Sequence, residues 1–394
     1  MNEEIQALER NQTWFIVDLP PIKKPIGARW IYKLKHRVND TIERYKARLV
    51  AKGYNQVEGY DYHDTYAPVA KLVTLRRLLA IVASKGWELH QLDANNAFLN
   101  GDLIEDVYMS TPPGFPKQPE NKSTTGYSLF TSKKNGSFIM VLVYVDDLVI
   151  TENDPSRIGE LKLHLYECFS LKDLGLLKYF LSLEIMHNSS GIFVCQNKYA
   201  LDIIVDTRME DCKLASHPMV QQKHFVDNNS PLLDDPSQYR HLVGWLVYLM
   251  VTKPELCFQP ELCFLVHILS QFLSKSHAKH VEAAKRVVRF VKANPSHGIF
   301  FPSNNEMLLQ IYCDSDWASC PLTWRSTTGY VALLGSAIIS WKTKKQTTVS
   351  HSSAKAEYRA MAVATDELLW FIRLLRDLDI PISGPMELFG DNRY

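Results

Sequence analysis

One apolar run organises the pattern of hydrophobic and polar positions: Phe138 to Thr151, F-I-M-V-L-V-Y-V-D-D-L-V-I-T. Apolar, β-favouring stretches of this length read as buried strands rather than helices, which puts Asp146 and Asp147 at the turn of a hairpin. Two carboxylates there repel by roughly 4 kcal/mol at ~4 Å and an effective dielectric of ~20. A cation relieves that repulsion; a solvated Asp-Asp turn is the plainer alternative.

The flanking segments have their own periodicities. Residues 1–20 predict a short helix and then an extended segment. Ile26 to Tyr32 and Arg44 to Ala51 predict strands joined at Asn39-Asp40. In the second of these Arg44, Lys46 and Arg48 are spaced by two and share one face. Thr74 to Ser84 predicts a helix with Thr74 as N-cap and Gly86 as its stop. It feeds a strand, Trp87 to Leu92, that ends at Asp93, a second carboxylate at a buried strand's exit.

Further along, Ser156 to Phe169 predicts an amphipathic helix, Tyr179 to Cys195 a hairpin turning at Ser189-Ser190-Gly191, and Asn197 to Thr207 another helix. Asp227 to Ser237 is polar and reads as a linker. Helices follow at Tyr239–Val251, Glu261–Phe272 and Ala278–Val291. The last predicts a buried stripe of Val281, Ala284, Val288 and Val291, with Lys285, Arg289 and Lys292 on another face. Gln310 to Ala318 is again a strand running into acids, Asp314 and Asp316. Strands are expected across Thr327–Trp341. A helix opening near Ser353 has Met361, Ala364, Leu368, Ile372 and Leu375 on one stripe, with Glu357 one turn earlier. A carboxylate on a sheet-facing stripe is costly unless something pairs with it. Met386 to Asn392 is a short strand carrying Asp391. Caps and solvated strand ends are the plainer reading of these acids.

Composition changes this picture little. With 394 residues, 46% hydrophobic and 22% charged, the chain can hold two or three ordinary globular cores. No apolar run reaches the ~20 residues that span a bilayer, so a soluble, intracellular protein is expected. Seven scattered cysteines with no C-x-x-C spacing indicate neither a zinc site nor a disulfide framework. The net charge of +1 hides two basic clusters. Lys23 to Lys52 holds ten cations against Asp40 and Glu43, net +8; Lys275 to Lys292 holds six against Glu282, net +5, with His277 and His280 besides. Clusters this lopsided suggest phosphate contacts.

Three runs, Arg44-Tyr45-Lys46-Ala47-Arg48-Leu49-Val50-Ala51-Lys52-Gly53-Tyr54, Gln91-Leu92-Asp93-Ala94-Asn95-Asn96-Ala97-Phe98-Leu99 and Tyr144-Val145-Asp146-Asp147, resemble the reverse transcriptase of copia-type LTR retrotransposon polyproteins. The resemblance implies an α+β fold. A fingers and palm region with an antiparallel sheet and helices would occupy residues 1–225, and a linker and helical connection 226–300. An RNase H-like α/β domain, incomplete at its C-terminus, would take 301–394. By the same resemblance Asp93, Asp146 and Asp147 are metal-binding acids of RNA-directed DNA polymerisation. Phe98 would be the gate against a ribonucleotide 2′-hydroxyl, and Lys46 or Arg48 the contact to the incoming triphosphate. Asp314, Glu357 and Asp391 match the first three acids of RNase H, and the fourth falls beyond Tyr394. Two Mg2+ (or Mn2+) ions per site are implied, with an RNA template, a DNA primer, an RNA–DNA hybrid and dNTPs as partners, no membrane, and location in cytoplasmic particles and the nucleus. Oligomeric state stays open.

The chain also departs from the family. Between Pro112-Pro113-Gly114-Phe115-Pro116 and Tyr127-Ser128-Leu129-Phe130 it lacks a few dozen residues, near 116–127, that include a Gly-Leu-Lys-Gln motif and a palm helix. Loss of that helix predicts exposed apolar surface beneath the site. Lys253-Pro254-Glu255-Leu256-Cys257-Phe258 is nearly repeated by Gln259-Pro260-Glu261-Leu262-Cys263-Phe264, where the family has one unit. Against an active polymerase stand two alternatives: a non-catalytic transposon remnant that at most binds nucleic acid, and a stand-alone two-metal nuclease.

Overall fold

The computed structural model describes residues 25–36, 42–52, 72–94, 129–134, 137–169, 171–218, 230–252, 260–320, 323–378, 380–382 and 384–390, with isolated helical positions at 5, 6 and 8. Phe98, Asp391, the stretch 95–128 and the first copy of the six-residue duplication lie outside them. The chain groups into two compact units, Met1–Ala70 with His90–Gly175 and Lys71–Leu89 with Leu176–Tyr394.

In the first unit, β1 (Ala28–His36) and β2 (Ile42–Ala51) form an antiparallel ribbon with Ile31 opposite Arg48 and Lys33 opposite Lys46. Beside it in sequence is a five-stranded sheet in the order β4 (Leu129–Lys134), β5 (Ser137–Tyr144), β6 (Asp147–Glu152), β3 (Glu88–Ala94), β7 (Leu171–Leu176). The expected hairpin is present: β5 pairs antiparallel with β6, with Tyr144 opposite Asp147. Helix α2 (Pro155–Cys168) covers one face, where Leu161 and Leu165 pack on Leu92, Ile139 and Ile150. Residues of the alternate register, Met140, Leu142 and Val149, are fully buried as well. The apolar surface expected from the shortened palm is therefore not exposed at these three positions, each contributing roughly 1.5–3 kcal/mol. Strand β7 had no counterpart in the sequence reading.

The second unit contains α1 (Leu72–Lys85), which starts two residues before the expected N-cap Thr74. Nine consecutive residues, Leu75 to Ala83, are buried, because α1 packs on strands β10 (Gly191–Cys195), β11 (Gly298–Pro302) and β14 (Ala337–Lys345). Gly86, at φ 65°, ends it as expected. The antiparallel sheet β11-β10-β9-β8 adds β9 (Leu183–Asn188) and β8 (Tyr179–Phe180). The hairpin expected over 179–195 is thus broken by a turn at Leu181 and Ser182, both at positive φ.

Helices α3 (Asn197–Asp206), α4 (Ser237–Thr252), α5 (Pro260–Gln271) and α6 (Ala278–Ala293) share one core that includes Ile203, Tyr239, Leu246, Leu269, Val287 and Val288. Residues 230–236 are no free linker. Ala278 N–H donates to Pro231 O (3.1 Å) and Leu233 N–H to Ser276 O (3.0 Å), which pins them at the start of α6. On α6 the buried stripe takes in His280, Ala284, Val287, Val288 and Val291, while Val281 is only partly buried. His280 stacks on Phe272 (4.2 Å) and so leaves the expected basic face. Lys292 donates to Cys212 O (2.8 Å), and Arg286 to His217 O (3.1 Å). Part of this cluster is spent on carbonyls inside the fold rather than on outside phosphates.

The last sheet runs β14-β13-β12-β15, with β12 (Leu309–Asp316), β13 (Thr327–Leu334) and β15 (Glu387–Gly390). The first three strands are antiparallel; α7 (Ser353–Asp377) then carries the chain across so that β15 lies parallel to β12. Helix α7 opens at Ser353 as expected, and Ser352 caps it, its hydroxyl accepting from Lys355 N–H (3.3 Å). The buried face is Ala356, Glu357, Ala360, Ala364, Leu368, Phe371 and Leu375. The expected Met361 and Ile372 are only partly buried, and Ala360 and Phe371, one position earlier, are buried instead.

A buried ion pair ties α1 to this layer. Arg77, 2% exposed, donates to Glu367, which also accepts from Ser340 Oγ (2.6 Å), and its guanidinium lies 4.1 Å from the Trp370 ring centroid. Burial lowers the Arg77 pKa to about 10 despite the carboxylate. Removing one partner of a buried pair leaves an uncompensated charge. Glu367→Ala is therefore expected to lower unfolding free energy by roughly 3 kcal/mol in urea titrations, with partial recovery in Arg77→Leu/Glu367→Leu.

Candidate functional site

Alternation along β3 puts Gln91 and Asp93 on one face. Strand order places β3 next to β6, and Ala94 N–H donates to Asp146 O (2.6 Å), so the ends of the two strands are fastened together. Asp93 is inside β3 rather than after it; Val145 and Asp146 form the two-residue turn, and Asp147 opens β6. Val145 has φ 54°. For a β-branched residue that backbone is an outlier, and such strain collects at functional turns.

The three aspartates are all only partly buried. Burial raises the Asp147 pKa, and the negative charges of Asp93 and Asp146 raise it further, against the lowering effect of a hydrogen bond from Gln91 Nε2 to Asp147 Oδ1 (3.0 Å). Asp147 thus feels both other acids. Arg48 Nη2 lies 3.4 Å from Asp146 Oδ2, a half-exposed pair. Of the two candidate cations on β2, Arg48 has its side chain at the aspartates. The strand also carries Lys46.

This donor set suits a hard divalent cation: three carboxylates on adjoining strand ends, crowded enough that their charges oppose one another. Among the described residues, no group of three His, Cys, Asp or Glu stands at coordinating geometry.

Gln91 went unnoticed in the sequence, although its i−2 spacing from Asp93 was the available signal. So did Lys162 on α2. Its ammonium donates to Asp173 (2.7 Å) and contacts His90 Nδ1 (3.2 Å). Asp173 lies below the usual carboxylate range: burial opposes this, but the bonds from Lys162 and Gly175 N–H outweigh it.

The second acid group is built on β12 and α7. Asp314 is exposed and accepts from Ser315 N–H (2.7 Å); Glu357 is 7% exposed. Both stand near Cys313, whose thiol is pushed up first by burial and then by these two charges. Burial and Asp314 likewise raise Asp316. Gly390, the last described residue of β15, is paired with Cys313, and Asp391 follows it in sequence.

Buried Gln346 links the pieces. Its Nε2 reaches Ser315 Oγ on β12 (3.2 Å), Thr328 Oγ1 on β13 (3.0 Å) and Ala356 O beside Glu357 (3.0 Å), and its Oε1 accepts from Ser350 Oγ (2.9 Å). No periodicity in the sequence singled it out.

The family model described as "Reverse transcriptase (RNA-dependent DNA polymerase)" matches residues 11–125 and 117–221. The Pol polyprotein of transposon RE1 from Arabidopsis thaliana is 37% identical across 100% of this chain, which spans 29% of that polyprotein. That of transposon TNT 1-94 from Nicotiana tabacum is 31% identical over 96% of this chain and 31% of its own length. An uncharacterized mitochondrial protein of Arabidopsis thaliana is 39% identical over 58% of this chain and 93% of its own. The chain belongs to the reverse transcriptase family, in its copia-type retrotransposon Pol branch. The two family matches overlap within 117–125, and the RE1 alignment runs to 427 positions against 394 residues here.

The carboxylate repulsion has a measurable sign. An acid whose folded pKa is raised destabilises the fold above its unfolded pKa, and that cost fades as falling pH protonates it. Asp147→Asn is expected to raise the melting temperature in EDTA at neutral pH by roughly 1–2 °C, the effect of about 0.5 kcal/mol. The gain should shrink towards acid pH, and added Mg2+ should raise the wild-type melting point more than the variant's.

Proposed function

We propose that this chain carries the polymerase and RNase H portion of a copia-type retrotransposon Pol polyprotein and acts as an RNA-directed DNA polymerase. The observation that carries this reading is the bond from Ala94 N–H to Asp146 O, which fastens together the strand ends bearing Asp93, Asp146 and Asp147, in a chain of the reverse transcriptase family.

Asp93, Asp146 and Asp147 would hold two Mg2+ or Mn2+ ions. Such ions activate a primer 3′-hydroxyl and stabilise a leaving pyrophosphate in an in-line displacement. Gln91 holds the Asp147 carboxylate in one rotamer, leaving Oδ2 for a ligand. Arg48 supplies a cation next to Asp146, suited to the phosphates of an incoming dNTP opposite an RNA template. Phe98, five residues past Asp93, is the proposed sugar gate.

The division into a fingers and palm region over 1–225, a connection over 226–300 and an RNase H-like domain from 301 belongs to the same proposal. For the last, support comes from the antiparallel trio followed by a helical crossover to a parallel strand, which gathers Asp314, Glu357 and the end of β15 around Cys313. Asp314, Glu357 and Asp391 would bind the ions that hydrolyse the RNA of an RNA–DNA hybrid. Gln346 would keep Glu357 in register with Asp314.

The second reading, a remnant that binds nucleic acid without polymerising, is favoured by one observation: the family model matches in two pieces that overlap within 117–125. Primer extension on an RNA template with Mg2+ separates the two. The proposal expects dNTP incorporation that falls at least 100-fold in Asp146→Asn, on the scale of losing a metal-binding carboxylate. Wild-type protein that binds template–primer but incorporates nothing would leave the remnant reading in place.

A further inference from the structure

Loop 317–326, between β12 and β13, exposes two tryptophans. Trp324 is 67% and Trp317 52% exposed, the two most exposed tryptophans among the described residues. Two exposed indoles within eight residues are costly to leave in water.

The loop is also braced. Cys320 N–H donates to Arg325 O (3.2 Å), Trp324 N–H to Cys320 O (2.8 Å), and Ala318 N–H to Ser326 Oγ (3.2 Å). Ser319 and Thr327 hydroxyls share a further bond (2.8 Å). Trp317 Nε1 donates to Ser350 O (2.9 Å), which fixes the ring while leaving one side open. Trp324 sits at φ 54° and Ala318 at φ 53°. A bulky residue in the left-handed region is strained, and surrounding bonds hold it there.

Cations border this loop. Arg325 follows Trp324 and is exposed; Ser326 O accepts from Gln346 N–H (2.8 Å), and Thr328 and Thr327 pair with Lys344 and Lys345. Exposed Lys342 lies further along the same strand. Asp314 and Asp316 close the other end of the loop.

We propose that Trp324 and Trp317 form a stacking platform for unpaired nucleotides, with Arg325 and Lys344 on the phosphates. Flat aromatic faces beside cations suit the π-faces and backbone of a single strand. In a duplex those base faces are already stacked on their neighbours, so an unpaired tail is the occupant that fits. This site rests on the nucleic-acid function proposed above and adds to it a grip outside the acid group.

The test measures fluorescence anisotropy of the full chain in EDTA with a labelled single strand of about 12 nucleotides and with a blunt RNA–DNA hybrid of about that length. Trp324→Ala should weaken single-strand binding about 5- to 100-fold, and Trp324→Phe should keep most of it. Blunt-hybrid binding should be unchanged. The salt slope should persist in Trp324→Ala and fall in Lys344→Ala, since stacking releases no counterions. Trp324→Gly guards against misfolding: glycine tolerates this backbone, so its melting temperature should equal or exceed wild type while single-strand affinity falls. Unchanged single-strand affinity in Trp324→Gly overturns the platform alone, as does an equal loss on the blunt hybrid. Wild-type protein that binds no nucleic acid overturns both the platform and the function beneath it.

Discussion

Repulsion among Asp93, Asp146 and Asp147 is the constraint around which the first unit is built. Asp147 is displaced upward first by its own burial and then by the charges of Asp93 and Asp146. The three acids are kept together by apolar burial behind them, where Leu92, Ile139 and Ile150 pack under α2, and by the bond from Ala94 to Asp146 O. The core stabilises the sheet, and the sheet confines the charge. Val145 adds strain at the same turn. The unit stores unfavourable energy in one place, which a divalent cation or an incoming polyphosphate with its metal would release.

The second acid group uses a related device. At the first site a single glutamine amide orients a carboxylate directly, through Gln91 and Asp147. At the second, Gln346 bonds to hydroxyls of two strands and to the Ala356 carbonyl, fixing the backbone from which Glu357 projects. A buried amide with several good acceptors specifies geometry at little desolvation cost, whereas a half-satisfied one would be a liability.

Residues with a strong periodic or compositional signal were legible in the sequence. The Phe138–Thr151 hairpin, the helix stop at Gly86 and the helical connection follow from apolar spacing and turn chemistry, which act locally. What eluded the sequence depends on partners distant in the chain. Thr74 looked like a cap, but burial on three strands extends α1 back to Leu72. Residues 230–236 looked like a linker by composition, yet backbone bonds to Pro231 and Leu233 hold them at α6. The buried stripe of α7 holds at Glu357, Ala364, Leu368 and Leu375, while Ala360 and Phe371 are buried in place of Met361 and Ile372. The contact of Arg48 with Asp146 likewise joins residues far apart in the chain.

The missing palm residues weigh differently once the sheet is seen. Exposure of Met140, Leu142 and Val149 would have meant a sheet that could not hold its own site, since each methylene left in water costs about 0.8 kcal/mol. All three are fully buried. The interruption therefore does not act through an uncovered core at these positions. The apolar burial behind β5 and β6 and the bond from Ala94 to Asp146 O are both in place in this chain.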